Sequence, residues 1–342
     1  MARSRGLDAG SEALVRRMCD AITHRGPDDD GYFTTLHASI GIRRLSIIDL
    51  DTGHQPIFNE DRTLAVILNG EIYNYRELYL HLTERGHRFY TKGDTETIVH
   101  LYEDYGDDCV QHLRGMFTFA LWDEPRQRML IARDRLGIKP LFYRQGNGDL
   151  IFGSEIKCLL EDPEFTRRIN LRSLAEYLTY LYVPAPATMF EGVEELPAGH
   201  LLTWNKGTTD VRRYWHLRYH EARGKPESYY LETFSAKLAD AVKSHLVSDV
   251  PLGAFLSGGI DSGTVVALMT EATGQPAETF TMGFEGDYGF YDERAQARLV
   301  AQKYRSRHHE FVVRPDVGQI LPQILRAFDQ PHADSSAIPN YY

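Results

Sequence analysis

The sequence predicts two folds in tandem, an α+β front half and an α/β back half with a parallel sheet. Three observations carry this. The front half mixes short apolar runs with helical patterns in no regular order. The back half alternates strand and helix, as βαβ units do. A stretch punctuated by Pro and Gly separates the two. At 342 residues the chain is also too long for one ordinary core.

In the front half, LAVIL (64–68) reads as a strand ending in NGEIYN, a turn-like segment. Leu78 and Leu82 mark a helix that stops at Gly86, and Asp94 precedes a second helix carrying Ile98, Leu101 and Tyr102. MFTFALWD (116–123) and RMLIARD (128–134) read as strands joined by a turn at Pro125. LIFGSEI (150–156) is a strand running into a helix. Pro184, Pro186, Pro197, Gly199, Gly207, Gly224 and Pro226 punctuate the connection, which gives domains at 1–216 and 227–342. Beyond it, 228–247 is a helix with Leu231, Phe234, Leu238 and Val242 on one face. LGAFL (252–256) reads as a buried strand, and a helix follows it. Strands at 278–284 and 308–313 then alternate with helices at 292–304 and 316–328.

Composition narrows the class. Apolar residues make up 42% and charged residues 25%, an ordinary globular balance. The net charge of −10 argues against nucleic acid or an anionic membrane as a partner. No apolar run approaches bilayer length, and the first 30 residues hold no apolar leader segment. Cys19, Cys109 and Cys158 form no metal or disulfide pattern, so a reducing cytoplasm is expected.

SGGIDS (257–262) lies between a strand and a helix. Gly258 and Gly259 let the backbone turn tightly, so that N–H groups converge at a helix N-terminus, where an anion is favoured. Ser257 and Ser262 can donate to phosphate oxygens. Asp261 would repel a bare phosphate and suits Mg²⁺, which commonly takes a carboxylate plus substrate phosphates. The plainer alternative is a Gly-rich turn with a capping Asp. It is neither a Walker A loop nor a dinucleotide fingerprint, because the required residues and spacing are missing. SGGIDS resembles the pyrophosphate loop of ATP pyrophosphatases, which adenylate a substrate carboxyl or carbonyl. SDVPLGAFL before it and TFTMGFEGDYGFYDERAQARLVA after it resemble the asparagine synthetase branch. That resemblance implies an adenine-nucleotide alpha-hydrolase-like domain using ATP and Mg²⁺, with Phe255 and Met282 near adenine or ribose. From residue type alone, Phe255 and Met282 read as core.

The front half adds HRGPDD (24–29), RRLSIID (43–49), NGEIYN (69–74), TKGDTE (91–96), ARDRLGIKPLFY (132–143) and FGSEIK (152–157). Together they resemble a class II glutamine amidotransferase domain, which implies a four-layer αββα sandwich. Chemistry agrees with the implied roles. Arg44 offers a planar fork for the α-carboxylate of glutamine, and Asp94 an acceptor for its ammonium. The Asn69 amide and Gly70 N–H suit an oxyanion hole, in which one donor is worth on the order of 3 kcal/mol. Glu71 is expected to touch substrate, and the backbone of Leu45, Ser46, Ile47 and Ile48 to line the pocket. Taken singly, each has a plainer reading: a surface salt bridge for Arg44, a hairpin turn for Asn69-Gly70, a helix N-cap for Asp94.

The family's nucleophile is a cysteine at the mature N-terminus, opening a short strand. No counterpart is expected here, since LVRRMCDAITHRGPDD resembles the stretch downstream of that strand. Cys19 lies five residues before His24 and sits beside the helical apolar face of Leu14, Val15, Met18 and Ile22, so it reads as a core thiol. Cys109 and Cys158 read likewise. PHADSSAIPNYY resembles a mid-domain segment, so an exposed apolar sheet face or edge is expected. The resemblance implies L-glutamine, L-aspartate and ATP as small-molecule substrates, and leaves a homodimer open. Two rivals stand beside it: an adenylating ligase acting on another carboxylate, and an inactive glutamine-binding protein.

Overall fold

The computed structural model describes residues 1–221, 223–285, 292–334 and 336–342. Residues 286–291, part of the segment expected after the strand at 278–284, lie outside the described residues, as does Ser335 in the last motif. The chain divides into two compact units, Met1–Arg218 with Asp329–Ala333, and Tyr219–Phe328 with Asp334–Tyr342. No helix of the described residues is long and apolar enough to cross a membrane.

The first unit runs β1 (Ala2–Arg3), α1 (Ala9–Asp20), β2 (Asp29–Thr34), β3 (Ser39–Arg44), β4 (Ile57–Phe58), β5 (Leu64–Ile72), α2 (Tyr75–Glu84), α3 (Glu96–Tyr105) and α4 (Cys109–His112). It continues with β6 (Gly115–Asp123), β7 (Arg128–Arg133), β8 (Phe142–Gly146), β9 (Asp149–Gly153), α5 (Ile156–Leu160), α6 (Leu171–Tyr180), β10 (Glu194–Glu195), β11 (His200–Asn205) and β12 (Thr208–Arg213). One antiparallel sheet has the order β12-β11-β7-β6-β5-β4 and another β1-β9-β8-β10, while β2 and β3 form a hairpin. An apolar cluster draws Ala65, Ile67, Trp122, Ile131 and Trp204 from the six-stranded sheet and Tyr143, Leu150 and Phe152 from the four-stranded one. Period-two alternation sends these side chains to one face of each strand. A second cluster holds Leu14, Val15, Met18 and Cys19 of α1 against Ile151 and the α5 residues Ile156, Cys158 and Leu159.

The turn expected at NGEIYN is confined to its last two residues, Tyr73 and Asn74. Strand β5 continues through Asn69 and Gly70 to Ile72, paired with β6 throughout. The hairpin-turn reading of Asn69-Gly70 therefore fails, because nine residues of ladder outweigh a local turn preference.

The second unit is α/β, with α7 (Glu227–Ser244), β13 (Gly253–Phe255), α8 (Ile260–Thr273), β14 (Glu278–Phe284), α9 (Arg294–Tyr304), β15 (Arg307–Val313), α10 (Val317–Phe328) and α11 (Ala337–Tyr341). Its sheet is parallel, in the order β13-β14-β15. Val242, Leu256, Val266, Met269, Ala277, Ala297 and Ala301 form its main core cluster. Two sequence expectations are corrected. Of the face expected on α7, only Val242 is buried, while Leu231 and Phe234 are exposed. Strand β13 lies at a sheet edge, and Phe255 is 88% exposed rather than core. Phe311 and Val312 on the other edge strand are exposed as well.

Candidate active site

A cavity of about 380 Å³ opens in the first unit, lined on one side by the ends of β3 and β5 and on another by the residues just before α3. Arg44, Leu45, Ile47, Ile48, Asn69, Gly70, Glu71 and Asp94 all border it. Eight of the nine residues expected at a glutamine pocket therefore meet in one place. Ser46 does not border it, and its N–H is taken by the Asp28 carboxylate at 2.9 Å.

Arg44 ends β3, and its Nη2 donates to the carbonyls of Ile48 (2.8 Å) and Asp49 (2.9 Å). The guanidinium is thus gripped by main chain, and the salt-bridge reading gives way to a positioned cation. Asp49 in turn accepts from Thr52 N–H and Lys92 N–H, which fixes the loop around Arg44.

The edge of β5 is the informative feature. Gln55 accepts from Leu68 N–H at 2.7 Å and donates to the Leu68 carbonyl at 3.3 Å. Asp94 Oδ2 accepts from Ile72 N–H at 2.8 Å. Phe117, the ladder partner of Gly70, spends its own N–H and carbonyl on Asp134 on the opposite side. By strand alternation the Gly70 N–H points to the same edge as those of Leu68 and Ile72. It lies between Gln55 and Asp94, and among the described residues no hydrogen bond engages it. Gly70 has φ +147°, and a Cβ there would lie 2.1 Å from the Met116 carbonyl oxygen. Asn69 Nδ2 donates to Ser154 Oγ at 3.5 Å.

Asp94 is buried, and burial, followed in part by the Glu71 charge, pushes its carboxyl up to about 6. It is not the side-chain cap of α3, whose first residue is Glu96. The sequence reading gave no role to Lys139, His24, Arg25, Arg43, Gln55, Leu68 or Thr95, which also line the cavity. Most sit inside the motifs already noted, which was the available signal. Burial holds the Lys139 ammonium below its ordinary range. Glu155, of the FGSEIK motif, binds Arg25 Nη1 at 3.0 Å and His24 Nε2 at 3.0 Å, and pairs with Lys157. The cavity thus sets a cationic wall against a carboxylate pair, a polarity that suits a zwitterionic amino acid.

No cysteine lines this cavity. Cys19 and Cys158 border a narrow, mostly apolar cavity of about 80 Å³ beside it, which shares Arg25, Arg43 and Asn69. Burial pushes the Cys19 thiol up to about 11 and that of Cys158 to about 12, and raises Cys109 further. All three are buried neutral thiols, unsuited to act as a thiolate nucleophile.

In the second unit the SGGIDS loop joins β13 to α8. The Ser257 and Ser262 hydroxyls lie 3.0 Å apart, Ser262 Oγ accepts from Ser257 N–H at 3.2 Å, and Ser257 Oγ accepts from Gly259 N–H at 3.2 Å. Gly259 caps α8, and Asp261 lies exposed in its first turn. Phe255 ends β13 and half-buried Met282 lies toward the end of β14, so both stand at the carboxyl edge of the parallel sheet with the loop. In open parallel sheets that edge is where ligands bind.

Residues 4–215 match the glutamine amidotransferase domain family, and residues 233–342 the asparagine synthase family. Asparagine synthetase (glutamine-hydrolyzing) 1 of Bacillus subtilis (strain 168) is 38% identical over 98% of this chain and 52% of that protein. A putative asparagine synthetase (glutamine-hydrolyzing) 2 of Methanocaldococcus jannaschii is 34% identical over 96% of this chain and 67% of that protein. Amidase chyE of Penicillium rubens is 36% identical over 82% of this chain and 44% of that protein. The chain spans about half the length of the Bacillus relative. Both family matches, and identity along nearly the whole chain, lead to one conclusion: the chain belongs to the family of glutamine-hydrolysing asparagine synthetases.

Proposed function

We propose that this chain serves glutamine-dependent asparagine synthesis, in which L-aspartate, ATP and L-glutamine give L-asparagine, AMP, pyrophosphate and L-glutamate. The observation that carries the reading is the unengaged Gly70 N–H on the edge of β5, with the Asn69 amide beside it and Arg44 and Asp94 in the same cavity. Arg44 would hold the α-carboxylate of glutamine and Asp94 its ammonium. Asn69 and Gly70 would stabilise the oxyanion of the tetrahedral intermediate. Glu71, Leu45, Ile47 and Ile48 would shape the pocket, and Ser46 would hold the loop through Asp28. Cys19, Cys109 and Cys158 are buried and stand outside this cavity, so none of them is assigned the thiolate of this step.

The first unit is read as a four-layer αββα amidotransferase sandwich over 1–216. The second is read as an adenine-nucleotide alpha-hydrolase-like domain over 227–342. In it Ser257, Gly258, Gly259 and Ser262 would cradle the pyrophosphate of ATP, with Phe255 and Met282 near the nucleoside. The donor set fits Mg²⁺ when a nucleotide is present, since Asp261 is a lone exposed carboxylate and phosphates would complete the coordination. When bound, the ion would neutralise charge on the departing pyrophosphate. A cytoplasmic setting with small-molecule substrates completes the reading.

Calorimetry with L-glutamine and a pyrophosphate-release assay with ATP, L-aspartate and ammonia test it together. Glutamine binding with aspartate-dependent pyrophosphate release supports the full reading. Glutamine binding alone supports the inactive glutamine-binding reading. Release only with another carboxylate supports the related ligase. Absence of both binding and release sinks the proposal.

A further inference from the structure

On the first unit, apart from the cavity, four potential metal ligands converge: Glu60 just after β4, His87 between α2 and α3, and His100 and Glu103 one helical turn apart on α3. We propose that Glu60, His87, His100 and Glu103 form a closed four-ligand site for Zn²⁺ or a similar divalent cation, which ties these segments together.

The geometry has the size such an ion requires. One ligand atom from each residue lies within 4.8 Å of all the others. His87 Nδ1 is 3.6 Å from Glu60 Oε1 and 3.5 Å from Glu103 Oε2. His100 Nδ1 is 3.5 Å from Glu60 Oε2 and 3.1 Å from Glu103 Oε2. Zinc bonds to nitrogen and oxygen of about 2.0–2.2 Å place the corners of a tetrahedron about 3.3–3.6 Å apart. The two imidazoles are tilted side by side at 4.6 Å, both presenting Nδ1 to the carboxylates.

Each ligand is also held from behind. His100 Nε2 lies 3.4 Å from the fully buried Glu96 carboxylate, and His87 Nε2 lies 3.4 Å from Asp104. Metal-bound histidines commonly have this arrangement, with a carboxylate on the second ring nitrogen orienting the first toward the ion. Glu103 accepts from Asn59 Nδ2 at 2.9 Å, and Glu60 accepts from Arg88 N–H at 2.9 Å. His100 is fully buried, whereas Glu60 and Glu103 reach solvent, which leaves an entry path. With four protein ligands and no open position, the site is structural in kind. It would fix the segment between α2 and α3, which ends at Asp94 and Thr95 of the cavity.

The test uses the full chain, stripped with a chelator and titrated with Zn²⁺ against a chromophoric competitor, with Co²⁺ absorption reporting coordination geometry. One equivalent of Zn²⁺ is expected, with a tetrahedral Co²⁺ spectrum and a rise in Tm. Glu60→Gln and His87→Gln act at partly exposed positions, and each should weaken Zn²⁺ by about tenfold or more. Each should also lose the zinc-dependent rise in Tm while its metal-free melt stays close to that of the parent. If the parent takes up no stoichiometric Zn²⁺, or both variants bind it as tightly as the parent, the proposal is overturned. The four side chains are then a hydrogen-bonded ion cluster.

Discussion

The Asp94 carboxylate is caught between two demands. In the proposed role it must be ionised to hold an ammonium, yet burial raises its pKa to about 6. An acid whose pKa is raised on folding contributes stability at low pH that is lost as pH climbs through the folded value. The free chain should therefore lose up to about 3 kcal/mol from this group between about pH 4 and pH 6. Glutamine affinity should show the opposite trend, falling about tenfold per unit below pH 6. Calorimetry across pH 4.5–7.5 checks this, and a flat profile would detach Asp94 from the ligand. Asp94→Asn keeps an acceptor for Ile72 N–H but removes the charge. It should raise stability at pH 7 by up to about 3 kcal/mol in a urea melt while abolishing glutamine binding. Arg44 sets a different test. Its Nη2 bridges two carbonyls, which an ammonium cannot do while also presenting a fork to a carboxylate. Arg44→Lys should weaken glutamine by about 10- to 100-fold with little change in Tm.

At the scale of elements, β5 shows what sequence can and cannot yield. Its apolar start at Leu64–Leu68 was legible because alternate burial on both faces leaves a continuous hydrophobic run. Its polar end was not, because Asn-Gly carries a strong turn preference and the β6 ladder that overrides it is a non-local contact. The alternation of strand and helix in the second unit was legible to within three residues at each boundary, since it depends on local periodicity. The exposure of Phe255, Leu231 and Phe234 was not, since burial depends on what packs across an element. Among candidate site residues, the motifs gave Arg44, Asn69, Gly70 and Asp94, whereas Gln55, outside every motif, emerged only from three-dimensional proximity. Two glycines carry predictions at this scale. Gly70→Ala would drive a Cβ into the Met116 carbonyl at a backbone angle that L residues rarely adopt. It should cost about 1–3 kcal/mol and remove glutamine binding. Gly258 has φ +82°, and a Cβ there would lie 2.5 Å from Gln296 Cβ and 2.7 Å from the Ala297 nitrogen. Gly258→Ala should cost about 1–2 kcal/mol and abolish ATP binding while leaving glutamine binding intact, as paired titrations would show.

At the scale of the molecule, each unit has its own core, and so each is expected to have its own unfolding transition. The three tryptophans, Trp122, Trp204 and Trp215, all belong to the first unit, and Trp122 and Trp204 are fully buried in its core. Tryptophan fluorescence, excited selectively beyond the tyrosine band, therefore follows that unit alone, while far-ultraviolet circular dichroism follows both. The second unit's main cluster is built largely from small side chains, and the unit leaves Phe234, Phe255, Ile260 and Phe311 exposed, so it should melt first. Its transition is expected in dichroism below the temperature at which fluorescence changes. A ligand stabilises only the state that binds it, by about 2.7 kcal/mol at a concentration 100 times its Kd. Saturating glutamine should then raise the fluorescence transition by about 5–10 °C and leave the earlier dichroism transition in place. ATP with Mg²⁺ should do the reverse. A glutamine shift confined to the earlier transition would place its site outside the Arg44–Asp94 cavity, and coincident transitions under all conditions would mean that the two cores unfold as one.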